Sequence, residues 1–124
     1  VKVLNGGWRK WLGEKRPVAD MPTNVGRATF TAKEPDQSLI VMADGVESAI
    51  GKEETVVWDL RSRGEYAGKI DRGNKRSGHI PGAVHMEWSD VMDTGGLSTF
   101  KPAEEIREAL VNIGVTPEKQ VYTH

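Results

Sequence analysis

Val56-Val57-Trp58-Asp59-Leu60-Arg61 is an apolar, β-branched run that ends on a carboxylate and a guanidinium. Residues of that kind fit a buried strand, and charges at its end belong on the C-terminal rim of a sheet. In open α/β sheets that rim is where ligands bind. Further along, Gly78-His79-Ile80-Pro81-Gly82-Ala83-Val84 is a turn punctuated by glycine and proline. It leads into a second short apolar strand, Ala83 to Met86.

The rest of the chain is organised around these two stretches. The 124 residues include 14 glycines and 6 prolines, so turns are frequent. The hydrophobic fraction of 37% and mean hydropathy of −0.51 are lean for an α/β core. A chain of this length has room for one domain and should bury roughly 65% of its unfolded surface. The formal net charge is −1, with both signs scattered. Neither nucleic acid nor an anionic membrane is an expected partner. The densest basic cluster, Arg72 to Arg76, reads as a solvated loop. No apolar run approaches the ~20 residues of a membrane span. These residues contain no cysteine, which removes disulfides and thiolate metal sites from consideration. The histidines at 79, 85 and 124 lack metal-ligand spacing, so no metal or cofactor is expected.

At the start, Val1-Lys2-Val3-Leu4 reads as a strand broken by Asn5-Gly6-Gly7. Trp8, Trp11 and Leu12 then share one helical face, and the two tryptophans read as core, with Gly13 as cap and Pro17 as stop. Pro17 to Asp36 is polar and aperiodic, as a linker would be, with at most a short extended segment at Ala28 to Ala32. Leu39, Met42, Val46 and Ile50 recur at helical spacing and predict a helix over 38–50, capped by Asp36 or Ser38 and stopped by Gly51. After strand Thr55 to Leu60, Ser62 caps a helical turn to Tyr66, and Lys69 to Ser77 is a charged loop. Trp88, Val91 and Met92 predict a short helix closed by Gly95-Gly96. Lys101-Pro102-Ala103-Glu104-Glu105 opens the strongest helix, with acids at its positive end, Ile106, Leu110 and Ile113 on one face, and Gly114 as cap. Gln120 to His124 is a final strand.

The Asp59-Leu60-Arg61 segment, Glu65-Tyr66 shortly after it, and the Gly78 to Ala83 turn together resemble the rhodanese family of sulfurtransferases. Val3-Leu4-Asn5-Gly6-Gly7-Trp8-Arg9-Lys10-Trp11 resembles the close of a rhodanese domain. The resemblance implies an α/β fold, a rhodanese-like parallel sheet flanked by helices, incomplete in this chain. It also implies that residues 1–16 are the tail of a first domain, 17–36 a linker, and 37–124 the opening part of a second, catalytic domain. In that family the strand matched by Gln120 to His124 runs into the nucleophilic cysteine, so a cysteine is expected directly after His124. No residue of these 124 is assigned as catalytic.

The implied reaction is transfer of sulfane sulfur from thiosulfate to cyanide or another thiophilic acceptor through a cysteine persulfide. The thiolate would be stabilised by a cradle of backbone N–H groups. The chain alone is expected to be inactive, since it has no thiol. Asp59 and Arg61 are the candidate substrate-binding residues. For each alone, an internal pair, Asp59–Arg61 or Glu65–Arg61, is the commoner arrangement. Glu65 stands where mercaptopyruvate-type members tend to have arginine, which weakens that alternative. A non-catalytic rhodanese-like binding module is another alternative, and a cysteine phosphatase or arsenate reductase on the same fold a third. Expected partners are a small sulfur donor, a thiophilic acceptor, and either the remainder of the same protein or a swapped copy. The expected compartment is the cytoplasm.

Overall fold

Strand β1 (Thr55–Asp59) organises the molecule, in a computed structural model that describes residues 2–124. It is the middle strand of a three-stranded, all-parallel sheet in the order β2-β1-β5, where β2 is Val84–His85 and β5 is Gln120–Thr123. Val56 and Val57 are buried on opposite faces, as strand alternation dictates. Both faces of a parallel strand are covered, which is why this segment is an apolar run rather than an alternation. Ala49, Ala83, Met86 and Val115 complete the buried apolar core.

Three helices serve the sheet: α2 (Ala43–Ala49), α3 (Arg63–Tyr66) and α4 (Ala103–Asn112). The Ser62 hydroxyl accepts from the Glu65 backbone N–H, and the Glu65 carboxylate accepts from the Ser62 N–H, a reciprocal cap that starts α3 immediately after the strand. Pro102 caps α4 at its N-terminus, and Gly114 follows it with φ +82°. A left-handed residue there closes the helix and turns the chain toward β5.

Four expectations are corrected. The helix predicted over 38–50 is divided: Gln37–Leu39 is a 3-10 turn capped by Asp36, residues 40–42 are extended, and α2 begins only at Ala43. Ile40 and Val41 are β-branched neighbours, which favours extended chain, and Leu39 and Met42 are left exposed. The helix predicted from Trp88 is a 3-10 turn, Trp88–Val91. Met92–Asp93 (β3) then pairs antiparallel with Thr99–Phe100 (β4), so the glycines at 95 and 96 lie in a hairpin turn. Lys2 to Leu4 form no strand, since among the described residues no strand lies beside them to complete a ladder; Val1 lies outside the described residues. Finally, Trp8 on helix α1 (Gly7–Gly13) is exposed rather than core.

Helix α1 nevertheless has a seat. The Phe100 N–H donates to Asn5 Oδ1 at 2.9 Å, and Leu97 packs against Gly13, where a Cβ would lie 2.7 Å from Leu97 Cδ2. Trp11 Nε1 donates to the Pro17 carbonyl at 2.8 Å, tying the helix to the chain that leaves it. Residues 14–36 contain no helix or strand.

These positions predict a contrast in stability. Val57→Ala removes two methyl groups from a 5%-exposed site and should cost about 2–3 kcal/mol. Trp8→Ala, at a 60%-exposed site, should cost about 0.5 kcal/mol or less. Chemical denaturation midpoints of the two variants check both figures.

Candidate active site

Asp59 is the last residue of β1 and is fully buried. An ionised carboxylate in that position needs its lone pairs filled. The next residues of the chain fill them. Asp59 Oδ1 accepts from the Arg61 backbone N–H and from Arg61 Nε, both at 3.0 Å, while Oδ2 accepts from Arg61 Nη2. This is the two-pronged carboxylate–guanidinium match that arginine alone offers. Arg61 Nη2 also donates to the Gly78 carbonyl at 2.9 Å, which fastens the guanidinium to the glycine-rich turn.

The register of the parallel sheet brings two histidines beside this pair. His85 on β2 is the direct partner of Asp59. On the other flank β5 pairs with β1 as far as Trp58 and Thr123. His124 follows, its carbonyl accepting from the Leu60 N–H at 3.0 Å and its own N–H donating to the Trp58 carbonyl at 3.3 Å. His124 Nε2 lies 3.4 Å from Asp59 Oδ2, a contact that is ionic when the imidazole is protonated. His124, directly after β5, is thereby held at the same rim as Arg61.

Burial pulls the Asp59 carboxyl upward. The hydrogen bonds from the Arg61 side chain and backbone, and the charges of His124 and Arg61, outweigh it and hold the group below the usual aspartate range. The Asp59 hydrogen bond in turn raises Arg61 against the opposing effect of its own burial. Arg61 is therefore a cation at every working pH. An open cleft of about 410 Å³ lies over the rim, lined by Arg61, Arg76, Ser77, His79 and His124 among others. Its side-chain ionisable groups are cationic or imidazole, and Asp59 is buried beneath it. The cleft is suited to a small anion.

Asp59 and Arg61 are thus together, Arg61 bordering the cleft and Asp59 supporting it from below. Glu65 does not line the cleft; its carboxylate accepts from Ser62 Oγ at 2.6 Å and lies 3.6 Å from Arg72 Nε. His79 bonds to nearby chain, its Nδ1 lying 2.8 Å from the Tyr66 carbonyl. Two cleft residues had no role in the sequence reading. His124 could have been found by extending the β1–β5 register one residue. Arg76 stands in an irregular exposed loop and gave no periodic signal.

The sequence matches the Rhodanese-like domain family over residues 42–124, two thirds of the chain. The chain belongs to the rhodanese family. A relative from Mycolicibacterium smegmatis, whose name gives thiosulfate sulfurtransferase only provisionally, is 36% identical over 131 residues. That alignment covers 100% of this chain and 46% of the relative. A thiosulfate sulfurtransferase from Azotobacter vinelandii is 36% identical over 124 residues, covering 98% of this chain and 43% of the relative. The chain therefore spans less than half the length of these relatives. Among solved structures, a variant of EanB in complex with ergothioneine superimposes with a TM-score of 0.81 at 25% identity, over 100% of this chain and 31% of the other. The rhodanese fold of a mixed α/β chain with a parallel sheet is thus confirmed. Among the described residues no helix is long and apolar enough to cross a membrane.

The Asp59–Arg61 pair carries a pH dependence. Asp59 is depressed in the folded state, so its contribution is complete above the unfolded pKa of about 4 and is lost as pH falls below it. Urea midpoints of the protein should fall more steeply below about pH 4 than those of an Asp59→Asn variant. At neutral pH, Arg61→Ala should cost roughly 3 kcal/mol, because it leaves a buried carboxylate short of its main partner.

Proposed function

We propose that this chain supplies the donor-binding wall of a thiosulfate sulfurtransferase, and that in the polypeptide to which it belongs a cysteine directly follows His124. One observation carries the reading. A permanently charged Arg61, immobilised by buried Asp59 and the Gly78 carbonyl, borders an anion-suited cleft at the rim where β5 ends. The names of the relatives from Azotobacter vinelandii and Pseudomonas aeruginosa point to the same activity.

The chemistry assigned to this rim has two halves. A cysteine thiolate attacks the outer sulfur of thiosulfate, the thiosulfate S–S bond breaks, and sulfite leaves with the electron pair. Cyanide or another thiophilic nucleophile then takes that sulfur from the cysteine persulfide and restores the thiolate. Arg61, together with Arg76 at the cleft edge, would hold the dianion and stabilise the departing sulfite. Residues 1–16 would be the tail of a preceding domain and 17–36 the linker, with the catalytic domain running on beyond β5. The apolar surface of Ile106, Leu110 and Val111 would then be covered by the rest of that domain or by a swapped copy.

The parent protein, assayed for thiosulfate:cyanide transfer, tests this. Arg61→Ala should raise KM for thiosulfate by roughly tenfold or more, and serine in place of the cysteine after His124 should abolish turnover. The 124-residue chain by itself should transfer no sulfur, having no thiol. Turnover by the purified fragment, or a residue other than cysteine after His124, would overturn the proposal and favour a non-catalytic module. Slower hydrogen exchange in α4 of the parent than in the fragment would support the covering segment, and equal rates would remove it.

A further inference from the structure

The backbone ladder of the sheet runs out just where Arg61 begins. The Asp59 carbonyl accepts from the Met86 N–H at 3.4 Å, and the Leu60 carbonyl accepts from the Trp88 N–H at 3.1 Å. The next carbonyl, that of Arg61, is bonded by a side chain: His85 Nε2 lies 2.8 Å from it. A carbonyl can only accept, so His85 carries its proton on Nε2 and donates. A histidine ring thereby extends the ladder by one bond at the residue whose side chain faces the cleft.

That ring is itself held. It lies tilted against Tyr66, with ring centres 4.7 Å apart. His79, on the glycine-rich turn, is stacked on Tyr66 at 3.8 Å and 11°. Tyr66 donates its hydroxyl proton to the Ala83 carbonyl at 3.0 Å, and the His79 ring meets the Tyr66 carbonyl. The cluster thus ties α3, the turn and β2 to the backbone of Arg61. An apolar residue at 85 would pack against Tyr66 equally well. What it could not supply is the proton for the Arg61 carbonyl.

We infer that His85 is a positioning residue for the Arg61 guanidinium, fixing the backbone from which that side chain springs, with Tyr66 and His79 holding the imidazole in its donating orientation. The inference rests on the reading of Arg61 as the contact for the donor anion. Buried Asp59 fixes the far end of the Arg61 side chain and His85 the near end. A cation anchored at both ends is preorganised for its ligand, and loss of either anchor should weaken binding of the anion.

The test uses the full-length parent protein and separates the donor from the ring. His85→Phe keeps an aromatic against Tyr66 and removes the donor, while His85→Gln removes the ring and keeps an N–H at a similar reach. His85→Met is a second donorless variant should the first not fold. The donorless variants should raise KM for thiosulfate about tenfold with a smaller change in kcat, and His85→Gln should recover most of that loss. Hydrogen exchange at Arg61 Nε, followed by ¹⁵N NMR, should quicken in the donorless variants and return toward wild type in His85→Gln. Unchanged KM and exchange in His85→Phe, or a His85→Gln variant as impaired as the donorless ones, would overturn the positioning role. If the wild-type parent transfers no sulfur from thiosulfate, the donor reading fails, and the Arg61 exchange rates alone decide the role of His85.

Discussion

A carboxylate with no exposed surface governs the architecture of this rim. Asp59 cannot be buried bare, since removing an ionised group from water costs several kcal/mol unless partners replace the water. The partners come from two residues ahead, and they come as both backbone and side chain. To deliver them the chain must leave the strand at Leu60 and fold back over its own end. The Ser62–Glu65 cap begins the next helix at once, leaving Arg61 little freedom to take another course.

The parallel arrangement multiplies that local constraint. Both neighbours of β1 run in its own direction, so each presents its C-terminal end where β1 presents Asp59. His85 arrives on one flank and His124 on the other without any long-range sequence signal to announce the convergence. Parallel strands require crossover connections of a dozen or more residues. The residues that meet at the rim are therefore far apart in the chain: Asp59 and Arg61, Gly78 and His79, His85, and His124. Catalytic or binding constellations in such folds collect at strand ends for this geometric reason.

Much of this was legible in the sequence where a residue's own chemistry decides its conformation. Val56 and Val57 could scarcely be other than strand, Ser62 with Glu65 three residues on is a helix start, and Gly114 after an amphipathic run is a helix stop. The site pair was legible because a strand ending in Asp-x-Arg brings its charges to one place. Illegible features were those decided by neighbours. Helical spacing over Leu39, Met42, Val46 and Ile50 was real, yet the β-branched pair Ile40-Val41 extended the chain through its first half. The β3–β4 hairpin has two residues in each strand, too few to show alternation. Trp8 had the spacing of a core residue but stays 60% exposed. The convergence of Tyr66, His79 and His85 depends on tertiary register and left no periodic trace.

A well-packed apolar pair at 59 and 61 would stabilise the strand end as well as a desolvated Asp–Arg pair or better, since the Coulombic gain is largely consumed by desolvation. Stability is therefore a weak explanation for a charged pair in the middle of the sheet. Its geometry supplies a stronger one: the carboxylate is hidden, the guanidinium reaches the cleft, and the hydrogen bonds that the Asp59 carboxylate accepts all come from Arg61 and keep that cation in place. The pair is built to present a positive charge at the rim, and the neighbouring histidines hold the frame in which it does so.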